Sequence, residues 1–140
     1  VQNNITKARD TAVFWGKKHY SYVTVPVKLI NHSDDALVYF TMTCSTFEVF
    51  TTNNNNVEVE LQPCEYNVPT QFTVLSHQSS ITNVRLFFPK NKANNIHRFK
   101  IGMYLCKYPE ISESEFFKYL VHNSWPKNLL IWSSEVIVDR

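Results

Sequence analysis

Three cysteines, five histidines and two close pairs of carboxylates are the groups in this 140-residue chain whose types could do chemistry. A catalytic thiolate needs a neighbouring base and a lowered pKa. Nothing in the sequence around Cys106 supplies either, and Cys44, Cys64 and Cys106 form no C-x-x-C pair. The histidines, His19, His32, His77, His97 and His122, show no H-x-H or H-E-x-x-H spacing, so no zinc site is expected from them. Paired carboxylates do acid–base work when burial or mutual repulsion separates their pKa values. Asp34-Asp35 lies in a polar hinge and Glu58/Glu60 on one open strand face, so neither pair meets that condition.

Other reaction centres fail on spacing. A G-x-S-x-G elbow cannot be built from two isolated glycines, Gly16 and Gly102. A blue-copper loop places Cys, then His, then Met within a short span. Here Met103 precedes Cys106 and the next histidine is His122. Loop oxygens of Asn31, Asp34 and Asp35 do not follow the calcium-loop spacing of an EF-hand. The chain is therefore expected to be non-enzymatic, with no cofactor and no metal.

The cysteines have a structural use. Cys44 ends one expected strand, and Cys64 follows Pro63 just past another at 57–62. A Cys44–Cys64 disulfide would close a loop of about 20 residues and add roughly 3 kcal/mol on a chain-entropy account. Such a bridge belongs to an oxidising compartment, although three cysteines leave at least one unpaired. The chain opens on Val1 rather than Met, in keeping with a processed mature chain or a trimmed one. No run reaches the ~20 apolar residues of a membrane span. Two sequons, Asn4-Ile-Thr6 and Asn31-His-Ser33, carry no weight alone.

Aromatic residues are the remaining binding material. Tyr20 and Tyr22 share the parity opposite Val23 and Val25, and Tyr104 and Tyr108 lie opposite Phe99 and Met103. If the two strands share one sheet, these four tyrosines form an exposed strip for a sugar ring or a protein partner. The competing expectation is that the helix, or the segment at 125–132, covers it.

The elements that position these groups follow from periodicity. Val23, Val25, Val27 and Leu29 alternate with Thr24, Pro26 and Lys28. After the hinge at 31–35, Val38, Phe40, Met42 and Cys44 alternate with Leu37, Tyr39, Thr41 and Thr43. A period of two over this length is that of half-buried strands. Pro26 marks an edge or a bulge, because it cannot donate to a ladder. Further strands are expected at 45–52, 57–62 (Val57, Val59 and Leu61 inward), 71–76 (Phe72 and Val74 inward), 81–88, 97–108 and 129–138. Asn53, Asn54, Asn55 and Asn56 read as a turn. Ser112-Glu-Ser-Glu115 fits a capping box, followed by Phe116, Phe117, Leu120 and Val121 at helical spacing. A short α-helix is therefore expected over 113–122, before the last strand.

Seven or eight strands with frequent turns, and 14% aromatic residues, give a mainly β fold. The expected form is an antiparallel two-sheet sandwich of immunoglobulin-like type, with a flexible lead-in at 1–12 and a single domain at 13–140. A small barrel is the runner-up. A net charge of +2 is too balanced for a nucleic-acid surface, although residues 90–100 carry five basic residues and no acid. The functional expectation is a secreted, periplasmic or cell-surface module that binds a protein or glycan partner. The alternatives are a cytoplasmic inhibitor presenting the helix and the 90–100 loop to another protein, and, last, a Cys106-dependent enzyme.

Overall fold

The odd–even sorting of the first run survives folding. In the computed structural model, Val23 and Val25 of strand β3 (Lys17–Ile30) are buried, while Thr24, Pro26 and Lys28 are exposed. Residues 5–7, 9–14, 17–61, 64, 66–89 and 96–139 are described, with side chains from residue 21 onward except at 89, 96 and 139. The other strands are β1 (Ile5–Lys7), β2 (Arg9–Phe14), β4 (Leu37–Met42), β5 (Phe50–Thr52), β6 (Glu58–Val59), β7 (Pro69–Val74), β8 (Ser79–Pro89), β9 (Ile96–Tyr104) and β10 (Leu130–Asp139), with helix α1 at Glu113–His122. The protein is mainly β, as its composition implies.

Strands pair in the orders β1-β10-β9-β5, β2-β3-β8-β6 and β4-β7. Among the described residues every pairing is antiparallel except β1 with β10, which is parallel. Of the polar stretch expected as a lead-in at 1–12, the described residues 5–7 form β1 and 9–12 the start of β2, each at a sheet edge. Edge strands need backbone pairing on one side only, so a polar sequence suffices there. β2 reaches along β3 only as far as Tyr22. Among the described residues, Pro26 therefore falls where β3 is bonded on one side, by β8, which accommodates its missing N–H.

The hinge at 31–35 is a crossing between sheets rather than a hairpin, because β3 pairs with β2 and β8 whereas β4 pairs with β7. Buried Asn31 organises it. Its Nδ2 donates to the carbonyls of Asp35 (2.8 Å), Val74 (3.1 Å) and Leu75 (3.3 Å). Its Oδ1 accepts from the Ser33 amide (3.0 Å) and hydroxyl (2.7 Å). One side chain thus ties the crossing to the end of β7.

β4 departs from its alternating pattern. Tyr39, Phe40, Thr41 and Met42 are all buried, so neither face is wet. On one face Phe40 stacks on Phe116 of α1, with ring centroids 5.6 Å apart. On the other, Tyr39 meets the inner faces of β3 and β9 around a cavity. The helix packs here because it forms as its sequence dictates. The Ser112 hydroxyl accepts from the Glu115 amide (3.2 Å) and donates to the Glu115 carboxylate (3.1 Å). Asn123, in the left-handed region at φ 47°, closes the other end. There the Ser124 amide donates to Tyr119 O and the Asn123 amide to Leu120 O, a Schellman ending.

Several strand expectations are corrected. Residues 46–49 form a 3-10 turn before β5 rather than extended chain. β6 shrinks to two residues, leaving Leu61 exposed, while Glu60 pairs with Arg85 at 3.3 Å. Phe72 shares the face of Tyr39, on which it stacks at 6.1 Å, yet stays 40% exposed. β9 stops at Tyr104, because the chain then turns to bond β4. Phe40 N donates to Cys106 O and Tyr108 N donates to Val38 O. Of the basic stretch at 90–100, positions 90–95 lie outside the described residues and 96–100 belong to β9.

One blob of apolar side chains from β3, β4, β7, β8, β9, β10 and α1 forms the core. Asn31→Ala removes an amide whose two N–H groups serve three carbonyls at a site only 5% exposed, and is expected to cost about 2–3 kcal/mol in urea unfolding. Asn31→Asp keeps the shape but loses the donor, and is expected to cost at least as much. An unchanged midpoint for Asn31→Asp would contradict this role.

Candidate functional site

Tyr22 and Tyr104 do not share a sheet: Tyr22 lies on β3 and Tyr104 on β9. Tyr22 is half-buried against Phe87 (6.4 Å), with the Arg85 guanidinium 5.2 Å above its ring. Tyr104 is stacked flat on Trp125 at 4.8 Å, so the segment before β10 covers it. Tyr108, past the end of β9, is 51% exposed and meets Phe40 edge-on. The side chain of Tyr20 lies outside the described residues.

A different aromatic stands out, and a backbone irregularity puts it there. Leu130, Ile131 and Trp132 pair with Tyr104, Met103 and Gly102, but Glu135 pairs with Lys100. β10 therefore carries one extra residue between Trp132 and Glu135, a bulge occupied by Ser133-Ser134. The Ser133 hydroxyl accepts from the Ile101 amide (3.0 Å), replacing a ladder bond. The bulge splits residues of one parity: Val136 and Val138 turn into the core, whereas Trp132 turns outward and is 45% exposed. Gly102 is why the indole can lie close to the sheet. A Cβ there would sit 2.8 Å from Trp132 Cζ3 and 2.8 Å from Leu130 Cδ1. Trp132 thus presents an aromatic face backed by backbone. Beside it on the same strands are Lys100 and the Arg98–Glu135 ion pair at 3.3 Å. Sequence parity missed this residue; the Ser-Ser pair inside an apolar strand was the available signal.

A second feature lies between the layers. Cavities of about 90 Å³ and about 210 Å³ share Tyr39, Phe50, Thr82 and Met103. Phe72 and Ile81 border the larger lobe, and Ile131 and Trp132 the smaller; all four are exposed large apolar residues.

The polar candidates have structural partners. The His77 ring bonds Asp34 at 2.8 Å on an exposed turn, which locks that turn to the hinge. The Asn31 sequon is engaged internally through its amide nitrogen. His97 is buried within β9 and stacked on Phe88 at 4.7 Å. Burial of Glu48 raises its carboxyl pKa, opposed by a hydrogen bond from Asn67. No group of three or more His, Cys, Asp and Glu that could hold a metal occurs among the described residues.

Cys44 and Cys64 are joined as a disulfide, with Cα atoms 6.2 Å apart. Asn67 Oδ1 accepts from the Cys44 and Ser45 amides (both 3.3 Å) and steadies that corner. Cys106 is fully buried, because the chain leaves β9 before reaching it. Burial first, and the Glu115 charge second, push its thiol from 9.0 up to about 11. Compared with known protein families and with curated proteins, the chain matches none.

Two outcomes follow for the thiols. Unreduced protein is expected to show one reactive thiol after denaturation and none natively at neutral pH; three after denaturation would remove the bridge. Because the folded thiol pKa is raised, Cys106 contributes stability that is full below pH 9.0 and is lost as pH rises toward about 11. Cys106→Ala is expected to lower stability at pH 7 yet flatten the decline between those two values, as read by urea midpoints.

Proposed function

We propose that the protein is a non-enzymatic β-sandwich of immunoglobulin-like type, acting outside the cytoplasm by binding a glycan. The observation that carries this reading is Trp132, an exposed indole lying against Gly102 and beside charged, hydrogen-bonding side chains. The face of an aromatic ring is negative, and the C–H face of a sugar presents partial positive charge to it. A ring held against backbone loses little freedom on binding, which favours affinity. The Cys44–Cys64 disulfide supports an oxidising compartment. A buried Cys106 with a raised thiol pKa is the reverse of an activated nucleophile, which supports the non-catalytic reading over a Cys106-dependent enzyme. Two four-stranded sheets that share one core support the sandwich.

A protein partner is the second reading, and one observation favours it. The outer side of α1 exposes Phe117 and Val121, one turn apart, and Tyr108 is exposed nearby in sequence. Helix 113–122 presented in this way is the surface an inhibitor would use. No helix among the described residues is long and apolar enough to cross a membrane.

A glycan array, followed by titration of the retained sugars, tests the first reading. Trp132→Ala is expected to weaken binding by about tenfold or more, as for a buried aromatic anchor. Gly102→Ala, which displaces the indole, is expected to give a smaller loss. The double substitution Phe117→Ser with Val121→Ser is expected to leave glycan binding intact. No retained glycan, or full binding by Trp132→Ala, would refute it.

A further inference from the structure

Two strands from different sheets border the smaller cavity with open edges. β2 reaches along β3 only to Tyr22, and β1 meets β10 only from Ile137 onward. Among the described residues, β3 at 27–29 and β10 at 131–133 are therefore bonded on one side only. Three consecutive residues of each strand line the cavity of about 90 Å³, which is thus a half-open cleft between the two edges. Val27 and Leu29 pack against the core, and Lys28 between them is exposed on the rim. Trp132 stands on the opposite rim, between Ile131 and Ser133.

Charge at this rim is one-sided. Lys28 is the one charged residue that borders the cleft, and it makes no ion pair with a described residue. Lys28, Arg98 and Lys100 outnumber Glu135, the one carboxylate in residues 98–102 and 130–135. Glu135 is already held by Arg98. We infer that the sugar recognised at Trp132 is acidic, its anionic group, a carboxylate or a sulfate ester, lying across the cleft against Lys28. This rests on the glycan reading and names the class of glycan. A cavity of roughly 150 Å³ takes a six-membered ring, and one of about 90 Å³ does not. The sugar ring therefore stays on the indole. Ile101 and Met103 in the cleft wall offer a buried charge no side-chain partner, so the anion stays at the rim, in water, beside the ammonium group.

A glycan array of matched pairs tests it, with uronic acids beside their methyl esters and sulfated sugars beside their unsulfated parents. The acidic member of a retained pair is expected to bind about fivefold tighter at low salt, and the preference to shrink as salt is added. The pair that shows it distinguishes carboxylate from sulfate. Lys28→Glu is expected to weaken the acidic member by about fivefold and to leave the neutral one within about twofold. Lys118→Glu, on exposed α1, makes the same change in net charge and is expected to alter neither. Trp132→Ala is expected to weaken both. Equal binding of acidic and neutral members, or an acidic preference that survives Lys28→Glu, would overturn the inference. If Trp132→Ala still weakened binding, the glycan reading would stand without it. Equal losses in Lys28→Glu and Lys118→Glu would assign the preference to net charge and would also overturn it. No retained sugar of either kind would remove both.

Discussion

β4 is held on all four sides, and the rest of the molecule is arranged around that constraint. β7 bonds one edge, and the backbone of Cys106 and Tyr108 bonds the other. Phe40 on one face is covered by Phe116, and Tyr39 on the other faces the cleft. Tyr39–Met42 of this strand are buried, so their backbone polar groups need partners within the protein. The turn of the chain out of β9 after Tyr104 meets this need. It also carries Cys106 into the core and Tyr108 to the surface. The helix and the end of β9 thus both serve the buried half of one strand.

Binding surfaces arise where regular pairing is interrupted. One extra residue in β10 turns Trp132 outward while Val136 and Val138 remain inside. A glycine opposite then lets the indole settle onto the sheet. At the cleft the interruption is different: Tyr39 belongs to the small β4–β7 sheet but lines a space between β3 and β9. Three sheets that meet at one strand do not fill their junction as two would.

Local rules read much of this fold correctly from the residues. Helix 113–122 carries its own start and stop signals, Ser112 and Asn123, and forms between them. The inward valines of β3, the turn built by the asparagine run and the Cys44–Cys64 pair follow equally local chemistry. What stayed hidden was tertiary. Alternation in β4 cannot reveal that a helix covers its second face. Parity in β10 breaks at a bulge, because two residues there oppose one across the ladder. The tyrosine strip depended on Tyr22 and Tyr104 sharing a sheet, which no spacing along the chain determines. Trp125 could be named as a cover for Tyr104, but its stacking on that ring is a matter of folding.

The most direct test of the enclosed strand is a double-mutant cycle between Phe40 and Phe116, with Phe40→Leu, Phe116→Leu and the double variant compared by urea unfolding. Rings stacked across β4 and α1 should couple by about 0.5–1.5 kcal/mol. Single losses that add to within about 0.3 kcal/mol would mean that the helix does not cover β4, and would contradict the account.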